Sequence, residues 1–183
     1  MRNALVIAIA LLAGGAIAPG QTSDRRHPDL VLDDLVSIAE KEIVSAAEAM
    51  PENNYAFVPT VGEFNGVRTF AGQVKHLAAA NYQLAARILA EKPPHGEHNE
   101  DAPEFVRTKE QVVDYLKGSF VYLHKAIASI NDGNLNDPIS GTKGTWQRMR
   151  LGIAIDAIAH SYDHYGQIVE YLRMNGIVPP ASR

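Results

Sequence analysis

His76, His160 and His164 are the residues of this chain whose type and spacing can do chemistry. His160 and His164 stand four residues apart in a segment with helical patterning, so both rings leave one face about one turn apart. Two imidazoles on one face, joined by a third from a neighbouring helix, make a three-nitrogen site with a coordination position left free. That is the ligand set of a catalytic rather than a purely structural metal. The pair alone is a weak signal, because the chain carries seven histidines and such spacings arise by chance. Exposed or internally satisfied histidines are the alternative. Ser161 follows His160, so the H-E-x-x-H pattern of metalloproteases is not met and no glutamate base comes with the pair.

On a helical wheel His160 and His164 lie about 40° apart. Ile153, Ala157, Ile168 and Tyr171 share that side, and Asp156, Asp163, Gln167 and Glu170 form the adjoining polar strip. His76 sits off the main apolar stripe of its own helix, among Thr69, Gly72, Gln73, Ala79, Ala80 and Gln83. Gln73, Gln83, Asp156 and Asp163 are either partners that orient the rings or ordinary helix-surface residues. The remaining histidines are weaker candidates. His95 and His98 fall in an acidic loop with Glu97, Glu100 and Asp101, His27 precedes Pro28 in a polar lead, and His124 is expected to face solvent.

The elements that must position these rings are four amphipathic helices. Apolar residues recur at alternating steps of three and four in four runs. They are Leu32-Val36-Ala39-Ile43-Ala46-Met50, Phe70-Val74-Leu77-Asn81-Leu84-Ile88, Val113-Leu116-Phe120-Leu123-Ile127-Ile130 and Leu151-Ile155-Ile158-Tyr162-Tyr165-Val169-Leu172. The fold expected is all-α, a four-helix bundle. Pro51 stops the first helix, Thr69 is an N-cap for the second and Pro93-Pro94 closes it. Thr108 with Gln111 forms a capping box for the third, which Asn131-Asp132-Gly133 ends; Asn175-Gly176 ends the fourth. Asn81 in the second seam is either a register-fixing polar core residue or a group lining the site beside His76. Tyr162 and Tyr165 read as core, and Tyr55 and Trp146 as structural residues or as walls of a pocket mouth. The interhelical loops are long for a bundle, whose connections usually run about 2–8 residues, so they are candidates for roofing a pocket.

The bulk composition narrows the classes. The 183 residues, 46% hydrophobic and 21% charged, suit one globular domain. The net charge of −4 comes without a basic cluster and gives no nucleic-acid surface. Cysteine is absent, which removes disulfides, thiolate ligands and a thiol nucleophile. At the start of the chain Arg2 precedes an apolar run from Ala4 to Leu12 and the small-x-small triplet Ala16-Ile17-Ala18. That pattern predicts a signal peptide over residues 1–18, a flexible lead over 19–28 and the bundle domain over 29–180. The run is short of the roughly 20 apolar residues a bilayer requires. The mature protein is therefore expected outside the cytoplasm, periplasmic or secreted, with no stable membrane insertion after cleavage.

The chain resembles the DinB-like superfamily, four-helix bundles related to thiol-dependent transferases. The matching pieces are Met50-Pro51-Glu52, Tyr55 with Phe57 and Pro59, Arg68-Thr69-Phe70 and His76. The most specific stretch runs from His160-Ser161-Tyr162-Asp163-His164-Tyr165-Gly166-Gln167 through Leu172-Arg173-Met174-Asn175-Gly176 to Pro179-Pro180. The resemblance implies a divalent metal, zinc or nickel, on His76, His160 and His164. It also implies an up-up-down-down or similar helix order and frequent homodimers. Its known activities are transfer of low-molecular-weight thiols and thiol-dependent isomerisation. Two readings follow. One is a metal-dependent hydrolase or thiol transferase acting on a small-molecule substrate; the other is a non-catalytic, metal-binding or stress-related bundle. An exported chain lies away from cytosolic thiol cofactors, which weighs against thiol transfer.

Overall fold

The structure, a computed structural model, describes residues 27–96, 102–139 and 149–183. The expected signal peptide, most of the lead, His98 and Trp146 lie outside the described residues. Four helices carry the fold: α1 (Pro28–Ala49), α2 (Phe70–Leu89), α3 (Lys109–Ile127) and α4 (Arg150–Met174). Among the described residues the only β-type pairing is an isolated bridge between Pro138 and Met149. None of the described helices is long and apolar enough to cross a membrane.

The helix ends follow from local chemistry. His27 precedes Pro28, whose fixed φ suits the first helical position and whose missing N–H costs nothing there. Met50 is already extended before Pro51, where a helical residue would clash with the proline ring. The hydroxyl of Thr69 accepts from the Gly72 amide at the start of α2. Thr108 and Gln111 close a reciprocal capping box at the start of α3. α4 ends in a Schellman turn: the Ile177 amide donates to Leu172 O, the Gly176 amide donates to Arg173 O, and Gly176 takes φ +71°. The same turn closes α2, but there the left-handed position falls on Ala90, at φ 55°. α3 stops at Ile127, earlier than its punctuation suggests. Asn131, Gly133 and Asn134 fold a separate turn after it, held by side-chain bonds to backbone amides.

Contacts between helices fix their directions. Lys109, at the start of α3, donates to Glu48 O and Met50 O at the end of α1. His124, near the end of α3, meets Asp33 near the start of α1. The two are therefore antiparallel. Arg150 at the start of α4 donates to Ile88 O at the end of α2, and Tyr171 near the end of α4 donates to Arg68 O just before α2. These two are antiparallel as well. Asn81 faces Ser119, and further along α3 Tyr122 and Lys125 donate to Glu91 just past the end of α2, so α2 and α3 run parallel. The order is up, down, down, up, with α1–α3–α2–α4 around the bundle.

That order accounts for two of the long connections. A parallel α2–α3 pair requires the connection between them to regain the other end of the bundle. In its described part His95 packs its ring against Tyr82, Tyr115 and Phe105. Residues 50–69 join α1 to α2 across the bundle diagonal, stapled by Tyr55 against Phe70 and Phe57 against Tyr171. The Tyr55 hydroxyl donates to Ala47 O, so this residue is structural.

The seams of the first three helices are all buried, and Phe70, Phe120, Ile43, Met50 and Leu77 fill the centre. Asn81 is fully enclosed and donates to Ser119 Oγ at 3.3 Å, so it belongs to the α2–α3 contact rather than to the histidines. The fourth seam requires correction. The face of α4 that enters the core is Ile153, Ala157, Ser161, His164, Ile168 and Tyr171. Ile155 is 52% exposed and Tyr162 36%, and Tyr165 is only half-buried. Both arcs of α4 are apolar, and the packing against α2 selects the one that carries His164.

Candidate metal centre

The three histidines converge between α2 and α4. His76 sits in the second turn of α2, and His160 and His164 lie one turn apart on the antiparallel α4. One nitrogen from each ring lies within 4.8 Å of the other two. The ring centroids are 4.4 Å apart for His160–His164, 4.7 Å for His76–His164 and 5.2 Å for His76–His160. His76 and His164 are buried, while His160 is half-buried and forms the edge nearest solvent.

Hydrogen bonds define the state of the pair. His164 Nδ1 is 2.9 Å from Gln73 Oε1, and a carbonyl oxygen only accepts, so His164 carries its proton on Nδ1. Its Nε2 is then a lone pair, 3.1 Å from His160 Nε2. Two lone pairs cannot face each other at that distance. In the metal-free chain His160 Nε2–H donates, leaving its buried Nδ1 with no partner among the described residues. A cation between the rings serves the same contact from both sides.

Burial pushes the His164 pKa down to about 4, with the nearby His160 and His76 adding to the effect and Asp163 opposing it. Burial, followed by His76, also lowers that of His160. Both rings are held neutral, which is the form that ligates. Tetrahedral binding of two imidazole nitrogens at about 2.0–2.1 Å separates them by roughly 3.3 Å. The observed 3.1 Å is close to that, so these residues fit a divalent ion.

The structure brings together the three rings that the sequence singles out, and of the proposed orienting residues Gln73 and Asp163 join the network. Arg68, just before the Thr69 cap, lies close enough for its charge to add a small contribution to lowering the pKa values of His160 and His164. Asp156 acts on His160 from the opposite sense of charge. His124 is not solvent-facing; it bridges Asp33 and Glu40 of α1, far from this centre.

None of the curated proteins compared with the chain matches it. A family model described as the DinB superfamily matches residues 36–168, from the third turn of α1 to the far side of His164, and the chain belongs to that superfamily.

Proposed function

We propose that this chain binds one divalent metal ion through His76, His160 and His164 and uses it on a small-molecule substrate, as a metal-dependent hydrolase or transferase. The observation that carries the reading is the convergence of three imidazoles, with no fourth carboxylate or histidine ligand grouped with them among the described residues, beside an edge that reaches solvent at His160. A three-nitrogen set leaves a coordination position free. A divalent ion bound there supplies Lewis acidity toward water, a thiolate or a carbonyl oxygen. The protein's own part is to keep the rings neutral, to aim them through Gln73 and to restrict water by the packing of α2 against α4. Zinc and nickel both suit an all-imidazole set.

The competing reading is a metal that only stabilises or is stored, and the burial of His76 and His164, 8% and 6% exposed, is what favours it. Cobalt(II) substitution separates the two. An open position makes the visible spectrum of the cobalt protein change when a small thiol or azide is added; a closed position leaves it unchanged.

We also propose that the protein is exported, on the strength of the residue 1–18 pattern, and that it pairs with a second copy. Support for pairing is an apolar strip across the parallel helices α1 and α4. Val31, Leu35 and Ile38 are 46%, 40% and 50% exposed at helical spacing, beside Ile155 and Tyr162. Glu42 continues the α1 stripe and acts electrostatically on Tyr162 and Tyr165, which places the two stripes side by side.

A further inference from the structure

A chain of side-chain amides leads away from the histidine centre. Gln73, 4% exposed, holds His164 Nδ1 at 2.9 Å through its Oε1. Its Nε2 donates to Gln167 Oε1 at 2.7 Å. Gln167 Nε2 in turn faces Asp163, 3.3 Å from Oδ2 and 3.5 Å from the backbone oxygen. The chain has one possible direction. Carboxylate and carbonyl oxygens only accept, so Gln167 must present its amide nitrogen to Asp163. Its oxygen then faces Gln73, which gives its own nitrogen there and is left with its oxygen toward His164. Each link removes one of the two orientations open to the next amide.

We propose that Gln73 and Gln167, terminated by Asp163, are positioning residues that fix the Nδ1–H tautomer of His164 and so keep its Nε2 lone pair available for the metal. The inference rests on the metal-binding reading for its purpose but not for its test. A glutamine alone at 73 could turn over and offer N–H to His164, placing the ring proton on Nε2, where it blocks an ion. Burial of Gln73 makes either orientation costly to leave unpaired, so the state of Gln167 is transmitted to the ring. Gln167 and Asp163 are one helical turn apart on α4, so the terminus of the chain stays in place with the same helix that carries His164.

Two readouts test this at neutral pH. Long-range proton–nitrogen NMR correlations on the metal-free protein report which nitrogen of His164 is protonated. Competition with a chromophoric chelator reports the affinity for zinc ion. The expected wild-type state is Nδ1–H. Gln73→Leu should lose that preference and bind zinc roughly ten- to a hundredfold more weakly. Gln167→Leu should mix the two tautomers and weaken zinc by a smaller factor. Gln73→Glu combined with Gln167→Leu should restore both readouts, because a carboxylate has no wrong way round and the second change removes the Gln167 oxygen that would otherwise face it. With glutamate at position 73, Gln167→Leu should therefore no longer weaken binding, a non-additivity that a loss of packing would not produce.

The proposal is overturned by a His164 that keeps Nδ1–H in Gln73→Leu. It is also overturned by a Gln167→Leu effect that is equally large with glutamate at position 73. Should Gln73→Leu fail to fold, the Gln167→Leu and Gln73→Glu pair decides alone. A wild type that binds no zinc yet shows the Gln73-dependent tautomer refutes the metal reading and leaves this one standing.

Discussion

His124 ties α3 to α1, and its removal should destabilise the bundle in a pH-dependent way. The ring meets Asp33 through Nδ1 and Glu40 through Nε2 at 3.1 Å, two carboxylates on neighbouring turns of α1. Both nitrogens donate only in the imidazolium. Burial lowers the His124 pKa, and the two carboxylates outweigh that and leave it raised above the ordinary 6.5. A raised folded pKa gives stability that is complete below the unfolded value and is lost as pH climbs through the folded one. The side chains are 26%, 44% and 32% exposed, so each contact belongs with partly screened surface pairs worth about 0.2–1 kcal/mol. Asp29 and Lys125 line the same recess, and Lys125 is itself paired with Glu91 at 3.2 Å. His124→Ala should therefore cost about 1–2 kcal/mol at pH 6. For a domain of this size that corresponds to a fall in Tm of roughly 3–6 °C. At pH 9 a neutral ring donates to one carboxylate and turns a lone pair to the other, and the cost should fall below about 0.5 kcal/mol. Urea or thermal unfolding of both proteins at the two pH values measures this. An equal cost at pH 6 and pH 9 would refute the clamp.

Three further outcomes follow from particular positions. Ala90→Gly should raise stability by about 0.5–1 kcal/mol in chemical denaturation, since the φ of 55° that closes α2 strains any residue with a Cβ. Thr108→Ala should lower it by about 1 kcal/mol by opening the capping box of α3, whereas Thr108→Ser should be nearly neutral. Ile38→Glu should shift the protein from dimer to monomer in analytical ultracentrifugation while leaving its melting cooperative; a wild type that is already monomeric at micromolar concentration refutes pairing through the α1–α4 strip.

Much of the fold was legible because each helix announces itself twice, by a buried stripe and by its ends. The first three stripes and the Thr69, Thr108 and Asn175-Gly176 signals carry that information locally. α4 is different. Leu151, Ile155, Ile158, Tyr162 and Tyr165 form as good a stripe as Ile153, Ala157, Ser161, His164 and Ile168. Periodicity cannot rank two apolar arcs of one helix; only the partner helix does. Helix directions depend on pairings such as Lys109 with Glu48 and Asn81 with Ser119, which no local pattern encodes. The histidine pair was legible because four-residue spacing is a local property. His124 was not, since its carboxylate partners lie 91 and 84 residues away in sequence. Gln73 was visible as a neighbour of His76 by helical spacing, but its bond is to His164 on another helix.

The most direct test is the metal content of the purified protein beside its three single-histidine variants. Each would be purified without an affinity tag, equilibrated with a small excess of zinc or nickel, dialysed and measured by elemental analysis. The wild type should retain about one ion per chain, and His76→Ala, His160→Ala and His164→Ala should each retain little, because loss of one ligand in three removes a large share of the affinity. Full retention by His76→Ala, or a wild type that holds no ion, would contradict a centre built from rings on α2 and α4.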